Sequence, residues 1–333
     1  MLGTLRLLLA LAVAASHVDY RIFGLNPGVM AVIGFYLISG YVMTGLLQRH
    51  YPSGQRAPAF YGDRAVRLLP QYLFYAFATL LWFLYFGPGQ QNPSLLYFLS
   101  RQPGLADLFN NLSIIPLNYY MWLHSDRFTL LPPAWSLGAE IQFYLLAPFI
   151  LLHRWRLLAL GALALGVYGL ALGGWIHSDW FGYRLLPGVL LFFFLGSLLQ
   201  QLHQGGRERT AWLLVLGTCL GALLAGWFAS RHGSLQQPYN QETLLGLLLA
   251  FPLLQLLATR RRQTWDELAG DISYGVFLNH FLIYWALFPA GVRLEQLPLF
   301  LGLSILLAWA SQRVVEKPLL RWRQTLRRKA VSA

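Results

Sequence analysis

Residues 28–48 read GVMAVIGFYLISGYVMTGLLQ, twenty-one consecutive positions without a charged side chain. A helix rises about 1.5 Å per residue, so this stretch is long enough to cross the ~30 Å hydrocarbon core of a bilayer. Comparable apolar stretches recur along the whole 333-residue chain, in which 56% of residues are hydrophobic and 11% are charged. A soluble domain carries about 25% charged residues. We therefore predict one all-α membrane domain without a soluble module.

The apolar stretches predict a polytopic transmembrane helical bundle of about ten spans. Proline and glycine interrupt several of them, which membrane helices tolerate when neighbouring groups satisfy the freed backbone atoms. The segment 111–123 is an eleventh span, a re-entrant piece or an interfacial helix. The predicted spans are 7–20, 28–48, 71–87, 137–152, 157–174, 186–202, 211–229, 242–259, 272–289 and 297–315.

The distribution of Lys and Arg orients the predicted bundle, because cytoplasmic loops are enriched in these residues. With the N-terminus inside, 19 of the 25 fall in predicted cytoplasmic segments, so both termini are predicted to be cytoplasmic. The same bias accounts for the net charge of +12, and we expect no nucleic-acid partner. The basic tail 321–333 is expected to lie against anionic lipid. The six outward residues are Arg21, Arg101, Arg127, Arg184, Arg231 and Arg293.

Few ionisable side chains fall within the predicted spans. Each costs about 2.5–3.5 kcal/mol on insertion scales, so each is a candidate functional residue. His17 and Asp19 lie late in the first span, Glu140 opens the fourth, and His280 is near the middle of the ninth. The one cysteine, Cys219, excludes a disulfide framework, and no H-E-x-x-H spacing predicts a metal site.

Arg6 and His17 are eleven residues apart, which is about 1100° of rotation and within roughly 20° of three full turns. They therefore share one helix face, separated by a rise of about 16 Å. This arrangement suits a substrate with an anionic head held by Arg6 and a reactive end near His17, since neutral imidazole is a competent base near pH 7. The alternative is an anchoring arginine and a buried histidine that donates to a backbone carbonyl.

Two further segments carry candidate residues. In the loop FYGDRAVRLLPQYL (60–73), Arg64 and Arg67 lie three residues apart before Pro70, so they can grip a phosphate together or act only as topogenic charges. In LLPPAWSLGAEIQFYLLAPF (130–149), Ser136 is predicted to cap the fourth span and Glu140 to fall in its first turn. There a carboxylate favoured by the helix dipole is the alternative to a functional acid. No G-x-S-x-G motif supports a serine hydrolase.

Six motifs in order resemble the acyltransferase-3 family and cover nearly the whole chain. They are Arg6 with His17, GFYLISGYV (34–42), the Arg64–Arg67–Pro70 segment, WSLGAEIQFYLLAP (135–148), SYGVFLNH (273–280) and VEKP (315–318). The resemblance implies a multi-pass enzyme of the bacterial inner membrane. Such an enzyme moves an acetyl or succinyl group from cytoplasmic acyl-coenzyme A to a hydroxyl of a glycan or exopolysaccharide at the periplasmic side.

The resemblance also implies roles for individual residues. His17 matches the catalytic histidine, Arg6 its motif partner, and Arg64 with Arg67 the donor-side pair. Glu140 matches the family's acidic position and is taken as a third catalytic residue. Acetyl-coenzyme A is the expected acyl donor, and no metal is expected. The supporting residues are Asp19, Trp135, Ser136, His280 and Glu316.

Two departures from the family pattern narrow these expectations. Relatives often carry Gly-Val-Asp before Phe-Phe in the second span, whereas this chain has Ala31, Val32, Ile33, Gly34, Phe35 and Tyr36, so the aspartate is missing. Many relatives append an SGNH hydrolase-like domain, for which the 18 residues after Val315 leave no room. We expect the membrane acyltransferase domain, 1–320, to complete transfer alone or with other polysaccharide biosynthesis proteins.

These observations predict a mechanism with two rivals. Coenzyme A docks at the basic cytoplasmic loops, and Asp19 or Glu140 orients His17, which acts as a general base or carries the acyl group. Acceptor selection is expected in the longest outward loop, 88–136. A transporter or flippase of a glycan or lipid-linked intermediate suits the composition equally, but it does not explain the ordered motifs. The second rival is an inactive scaffold of a polysaccharide synthesis complex.

Overall fold

The computed structural model describes residues 1–87, 89–204, 217, 221, 226, 228, 231–261 and 263–319. Within these residues the chain is helical apart from turns and two isolated β-bridges, which join Ile22 to Leu25 and Leu99 to Phe128. This confirms the all-α prediction for the described part. The predicted span 211–229 apart from four single positions, Cys219 and the tail 321–333 lie outside the described residues.

Twelve α-helices are present in the described ranges, and several short turns of helix connect them. In the first half they are α1 (Leu2–Ser16), α2 (Pro27–His50), α3 (Ala57–Phe86), α4 (Pro93–Phe98), α5 (Leu105–Ser113) and α6 (Tyr120–Leu123). In the second half they are α7 (Ala134–Ile150), α8 (Arg154–Leu172), α9 (Leu186–His203), α10 (Asn240–Ala258), α11 (Thr264–Leu287) and α12 (Leu297–Ser311). A π-helical turn, Ser178–Arg184, precedes α9, and another, Gln312–Glu316, follows α12.

Six helical stretches in the described residues are long and apolar enough to cross a membrane. The chain is therefore a multi-pass membrane protein. Helix α1 is apolar but shorter, at 15 residues, and α7 has 17. The total of ten spans and the cytoplasmic termini stay predictions. The six stretches are Pro27–His50, Gly54–Phe86, Arg154–Leu172, Ser178–His203, Asn240–Ala258 and Leu294–Leu319.

Helix α3 begins well before the predicted span 71–87, so Arg64, Arg67 and Pro70 lie on a helix and the prediction of a loop is wrong. Pro58 at the first turn favours helix initiation there. Phe60, Asp63 and Arg64, at i, i+3 and i+4, are all buried on one face. Because this face packs into the protein, the helix continues through the charged positions that interrupt the apolar sequence.

The segment 111–123 is not a single spanning helix. Helix α5 ends at Ser113, a tight turn covers Ile115–Tyr119, and α6 has only four residues. The turn packs on α7 so closely that a Cβ atom at Gly138 would lie 3.0 Å from the carbonyl oxygen of Ile114. Of the three interpretations of this segment, a single spanning helix does not fit the structure.

Helix α2 lies at the centre of the bundle and packs against α1, α7, α9 and α10. Glycines allow the closest of these approaches. A Cβ atom on Gly40 would lie 1.9 Å from the carbonyl oxygen of Phe193, and one on Gly196 would lie 1.9 Å from that of Leu37. Helices in membranes associate through such small residues because they let two backbones meet.

Helix α1 packs along α11, and this pairing positions the candidate site. At one end, the backbone N–H and the hydroxyl of Thr4 both donate to Asp266 at 2.8 Å. At the other end, α1 stops at Ser16, short of the predicted limit at residue 20. His17 is therefore held beside the middle of α11 rather than at the end of a longer helix.

Candidate functional site

His17 caps the C-terminus of α1 and meets a second histidine. Its Nδ1 atom lies 3.0 Å from Nε2 of His280, and the two rings are nearly parallel, at an angle of 12° with centroids 5.1 Å apart. The ring of Phe281 flanks His17 with centroids 4.8 Å apart. The predicted catalytic histidine and a predicted supporting residue thus form one unit.

The hydrogen bonds of His280 fix the proton positions of this pair. Nδ1 of His280 lies 3.1 Å from the carbonyl oxygen of Val276, and a carbonyl can only accept, so Nδ1 carries the proton. In neutral His280, Nε2 is then an acceptor and takes the proton of His17 Nδ1. Neutral His17 is left with its lone pair on Nε2. A base oriented through its other ring nitrogen is the arrangement found in catalytic triads.

Neither carboxylate predicted to orient His17 contacts it. Asp19 follows the end of α1 in a left-handed turn with φ of 62°, and its side chain is 97% exposed. Its carboxylate lies 3.7 Å from Arg21. Asp19 therefore lies in an exposed turn rather than on α1, because the helix that was expected to carry it ends three residues earlier.

Glu140 is the seventh residue of α7 and therefore does not lie in the first turn, where it was predicted. The carboxylate accepts hydrogen bonds from the hydroxyls of Ser39 and Tyr144. The predicted N-cap at Ser136 is also wrong, because this side chain donates to the carbonyl of Pro133 at 2.9 Å within the helix. A favourable helix dipole consequently does not explain Glu140, which lies beside the arginines described next.

Arg64, Arg67 and Glu140 line one cavity of about 380 Å³, together with Arg6 and Asp271. We call it the middle cavity. With Ser136, which also lines it, the structure thus brings five of the predicted site residues together. Each α3 arginine already has an anionic partner, since Arg64 pairs with Asp63 and Arg67 with the predicted supporting residue Glu316.

A second cavity of about 870 Å³ adjoins the middle cavity at the Arg6 end of α1. We call it the basic cavity. Arg49 and Arg260 are two of the 19 basic residues that the sequence places in cytoplasmic segments, and both line this cavity with Arg6 and Arg67. The two cavities share Arg6, Arg67 and Asp271 in their walls. Its wall holds four arginines against three carboxylates, so the formal charge of these side chains is +1, which suits an anionic ligand.

A third cavity of about 330 Å³ holds His17, and we call it the histidine cavity. Val32, Ser136 and Phe277 line both it and the middle cavity, so these side chains form a shared wall. The three cavities therefore follow α1 from Arg6 to His17. No group of three His, Cys, Asp or Glu residues in the described ranges could hold a metal ion.

Trp135 and Arg184 line the histidine cavity together. The guanidinium lies 4.5 Å from the centre of the Trp135 ring, and its Nε donates to Asp179 at 2.7 Å. Sequence reasoning placed Trp135 in a motif but treated Arg184 as an ordinary outward charge. The aromatic run WFGYR at 180–184 was the available signal, because aromatic rings commonly shelter a buried guanidinium.

The rim of the histidine cavity includes Tyr97, whose hydroxyl donates to Asp126 at 2.7 Å. This hydrogen bond, with lesser effects of burial and of the carboxylate charge, raises the pKa of Tyr97 to about 12. The phenol therefore stays protonated at neutral pH and keeps donating to the carboxylate.

Comparison with protein families gives an independent result. A family model described as an acyltransferase domain matches residues 2–313, nearly the whole chain. No solved structure matches the chain.

Three relatives differ in how much they share. An uncharacterised protein of Aquifex aeolicus is 42% identical over 159 residues, which is 47% of this chain and 72% of the relative. The O-acetyltransferase OatA of Staphylococcus aureus is 31% identical over 146 residues, 40% of this chain and 22% of that protein. Nodulation protein 10 of Rhizobium leguminosarum is 25% identical over 293 residues, 80% of this chain and 73% of that protein.

Proposed function

Because this chain belongs to the acyltransferase-3 family of membrane O-acyltransferases, we propose that it moves an acetyl group from acetyl-coenzyme A to a hydroxyl of a glycan, with His17 as general base. The contact between His17 and His280 carries this proposal, because it leaves the lone pair of His17 on Nε2 in a cavity wall. Acetyl is favoured over succinyl by the similarity to OatA, whose name describes an O-acetyltransferase. That match spans only 22% of OatA, so acceptor identity is not carried over from it.

The donor binds from the Arg6 end of α1 in this proposal. Arg49 and Arg260 are available in the basic cavity for the phosphates of coenzyme A, because arginine binds phosphate in a bidentate manner. Arg64 and Arg67 then act along the middle cavity, where their carboxylate partners limit the positive charge. The pantetheine arm extends through the middle cavity and places the thioester at the wall formed by Val32, Ser136 and Phe277.

The acceptor occupies the histidine cavity, and the thioester passes Val32, Ser136 and Phe277 to meet it there. Nε2 of His17 takes the proton as the acceptor oxygen attacks the thioester carbon, which forms the new C–O bond. The tetrahedral intermediate collapses, the C–S bond breaks, and the coenzyme A thiolate leaves and recovers the proton from the imidazolium. The adjoining cavities favour this direct transfer over an acyl-histidine, since both reactants can be bound together.

His280 has a positioning role in this mechanism. It holds the His17 ring through Nδ1 and, as a neutral acceptor, supports the imidazolium that forms. Asp19 and Glu140 do not take this role. Glu140 instead fixes Ser39 and Tyr144 at the donor side, and its charge faces Arg64 in the middle cavity.

The proposal places the chain in the bacterial inner membrane with the Arg6 end of α1 towards the cytoplasm. Acyl-coenzyme A is a cytoplasmic metabolite, so the basic cavity must open on that side. The histidine cavity then faces the periplasm, where a glycan acceptor is presented. The excess of Lys and Arg in the predicted cytoplasmic segments supports the same orientation.

Label transfer in isolated membranes tests the proposal. Membranes with the wild type or His17→Ala, matched for protein level, receive radiolabelled acetyl- or succinyl-coenzyme A. We expect acetyl label in the carbohydrate fraction with the wild type only. Equal labelling by the variant would remove His17 from the mechanism, and preferential succinyl transfer would contradict the proposed donor.

A further inference from the structure

Besides the pair of His17 and His280, the histidine cavity contains a cluster of aromatic rings that encloses Arg184. Rings from four separate segments surround the guanidinium, whose side chain is only 14% exposed. The distances from its central carbon to the ring centres are 4.5 Å for Trp135, 5.0 Å for Tyr183, 5.2 Å for Tyr120 and 5.8 Å for Tyr239.

The backbone and one side-chain nitrogen of Arg184 are fixed by protein partners. Its carbonyl accepts from the amide of Asn118 at 3.1 Å, and Nε donates to Asp179. Within the described residues, the side chain donates no other hydrogen bond, so the Nη groups remain available to the cavity. A buried guanidinium with unused donors beside a base indicates a ligand-binding position.

The charges around the histidine cavity define what that ligand is. The four charged residues in its wall are Asp19, Arg21, Asp126 and Arg184, and their formal charges cancel. Arg184 is further neutralised by Asp179. An anionic ligand at the Nη groups would place a second negative charge beside the Asp179 carboxylate on the same guanidinium, which is unfavourable. A neutral ligand with hydroxyl groups avoids this repulsion.

We infer that Arg184 and its aromatic enclosure form the acceptor subsite, which binds an uncharged sugar ring through adjacent hydroxyl groups. The Nη groups donate to the hydroxyl oxygens, and the Asp126 carboxylate at the same cavity accepts from another hydroxyl. Aromatic faces pack against the apolar face of the ring. The volume of about 330 Å³ is at the low end of the ~300–1,000 Å³ range of ligand pockets, so one sugar ring is held rather than a polymer segment.

This inference rests on the transferase function proposed above, and it is tested by binding rather than by transfer. Saturation-transfer NMR on the full chain in nanodiscs measures the binding of four neutral methyl glycosides. These are the glucoside, galactoside, mannoside and N-acetylglucosaminide. Glucuronic and galacturonic acids are the charged probes. Arg184→Lys keeps a cation beside Asp179 but loses the planar pair of Nη donors.

We expect the wild type to bind at least one neutral glycoside more tightly than either uronic acid, and Arg184→Lys to weaken that binding at least tenfold. The matched control is Arg101→Lys, which alters an arginine–aspartate pair outside the cavity, with Asp107 at 2.6 Å. Binding by the control is expected to equal that of the wild type. The inference is overturned if no neutral glycoside binds, if the uronic acids bind more tightly, or if Arg184→Lys binds as the wild type does.

The two proposals fail separately. If the wild type binds neutral glycosides through Arg184 but transfers no acyl group from any donor, the transferase proposal fails and the subsite stands. If transfer is observed while Arg184→Lys leaves the acceptor KM unchanged, the subsite fails and the transferase stands.

Discussion

Nδ1 of His17 and Nε2 of His280 lie 3.0 Å apart, although 263 residues separate them in the chain. The contact joins the end of α1 to the middle of α11 and gives His17 a defined tautomer. Histidine therefore takes the place that a carboxylate occupies in the common triad of nucleophile, base and acid. A neutral orienting group suits a site within the membrane, where an isolated carboxylate would be costly.

Replacing His280 tests this positioning role. His280→Leu removes the acceptor for His17 Nδ1, so the ring loses its tautomeric preference, and we expect kcat to fall by about 10²–10⁴-fold. His280→Gln can offer a side-chain oxygen at a similar distance and should retain activity within about tenfold of the wild type. Steady-state kinetics on purified variants of equal thermal stability measures both. Equal losses in Leu and Gln variants would show that His280 is needed only for packing.

Removing one partner of the ion pair between Arg67 and Glu316 should destabilise the protein more than removing both. Both side chains are largely buried, so Glu316→Gln removes the carboxylate charge that pairs with Arg67. We expect a loss of about 3–5 kcal/mol in the free energy of unfolding. The double variant Arg67→Leu, Glu316→Leu should be less destabilised than Glu316→Gln, as measured by denaturation in detergent. A double variant that is destabilised as much as Glu316→Gln, or more, would contradict this expectation.

The glycine contact between α2 and α9 should not tolerate even a methyl group. Gly40→Ala or Gly196→Ala places Cβ 1.9 Å from a carbonyl oxygen of the facing helix, so the helices must separate. We expect a destabilisation of at least ~1–3 kcal/mol, visible as a lower Tm. The control is Gly166→Ala on α8, where no atom lies within 4 Å of the added Cβ. A lower Tm in that control alone would contradict the account.

The basic cavity should determine donor affinity. Arg49→Gln and Arg260→Gln each remove one charge from its wall, so the KM for acetyl-coenzyme A should rise about tenfold at low salt while kcat changes little. Added salt should narrow the difference from the wild type. Arg293→Gln is the control, because its side chain is 73% exposed and pairs with Glu295 away from the cavities. An unchanged KM in both cavity variants would exclude this donor site.

The bounds of the helices were easier to predict from the sequence than the tertiary contacts of their side chains. Helix α2 matches the predicted span 28–48 closely, because an uninterrupted apolar run needs no information from the rest of the chain. Helix α3 was truncated in the prediction because Asp63, Arg64 and Arg67 read as a polar loop. Their burial depends on pairing, and Glu316, the partner of Arg67, lies far away in sequence.

The candidate site was predicted in composition but not in geometry. His17, His280, Arg6 and the arginines of α3 were all named, since ionisable side chains are conspicuous in an apolar sequence. Glu140 was expected beside His17 but lines the middle cavity, because its hydrogen-bond partners Ser39 and Tyr144 become apparent only after α2 packs against α7. Arg184 was missed because, apart from the adjacent Tyr183, the aromatic rings around it come from separate segments.

In the proposed mechanism, one chain links a donor cavity at the Arg6 end of α1 to an acceptor cavity at the His17 end. Purified protein in sealed vesicles tests it, with radiolabelled acetyl-coenzyme A enclosed and a neutral oligosaccharide outside. Only molecules whose Arg6 end faces the lumen, identified by protease protection, are counted. The account predicts acetylated oligosaccharide outside with the wild type and none with His17→Ala. Product that forms only when donor and acceptor share one side, or forms equally with His17→Ala, would contradict it.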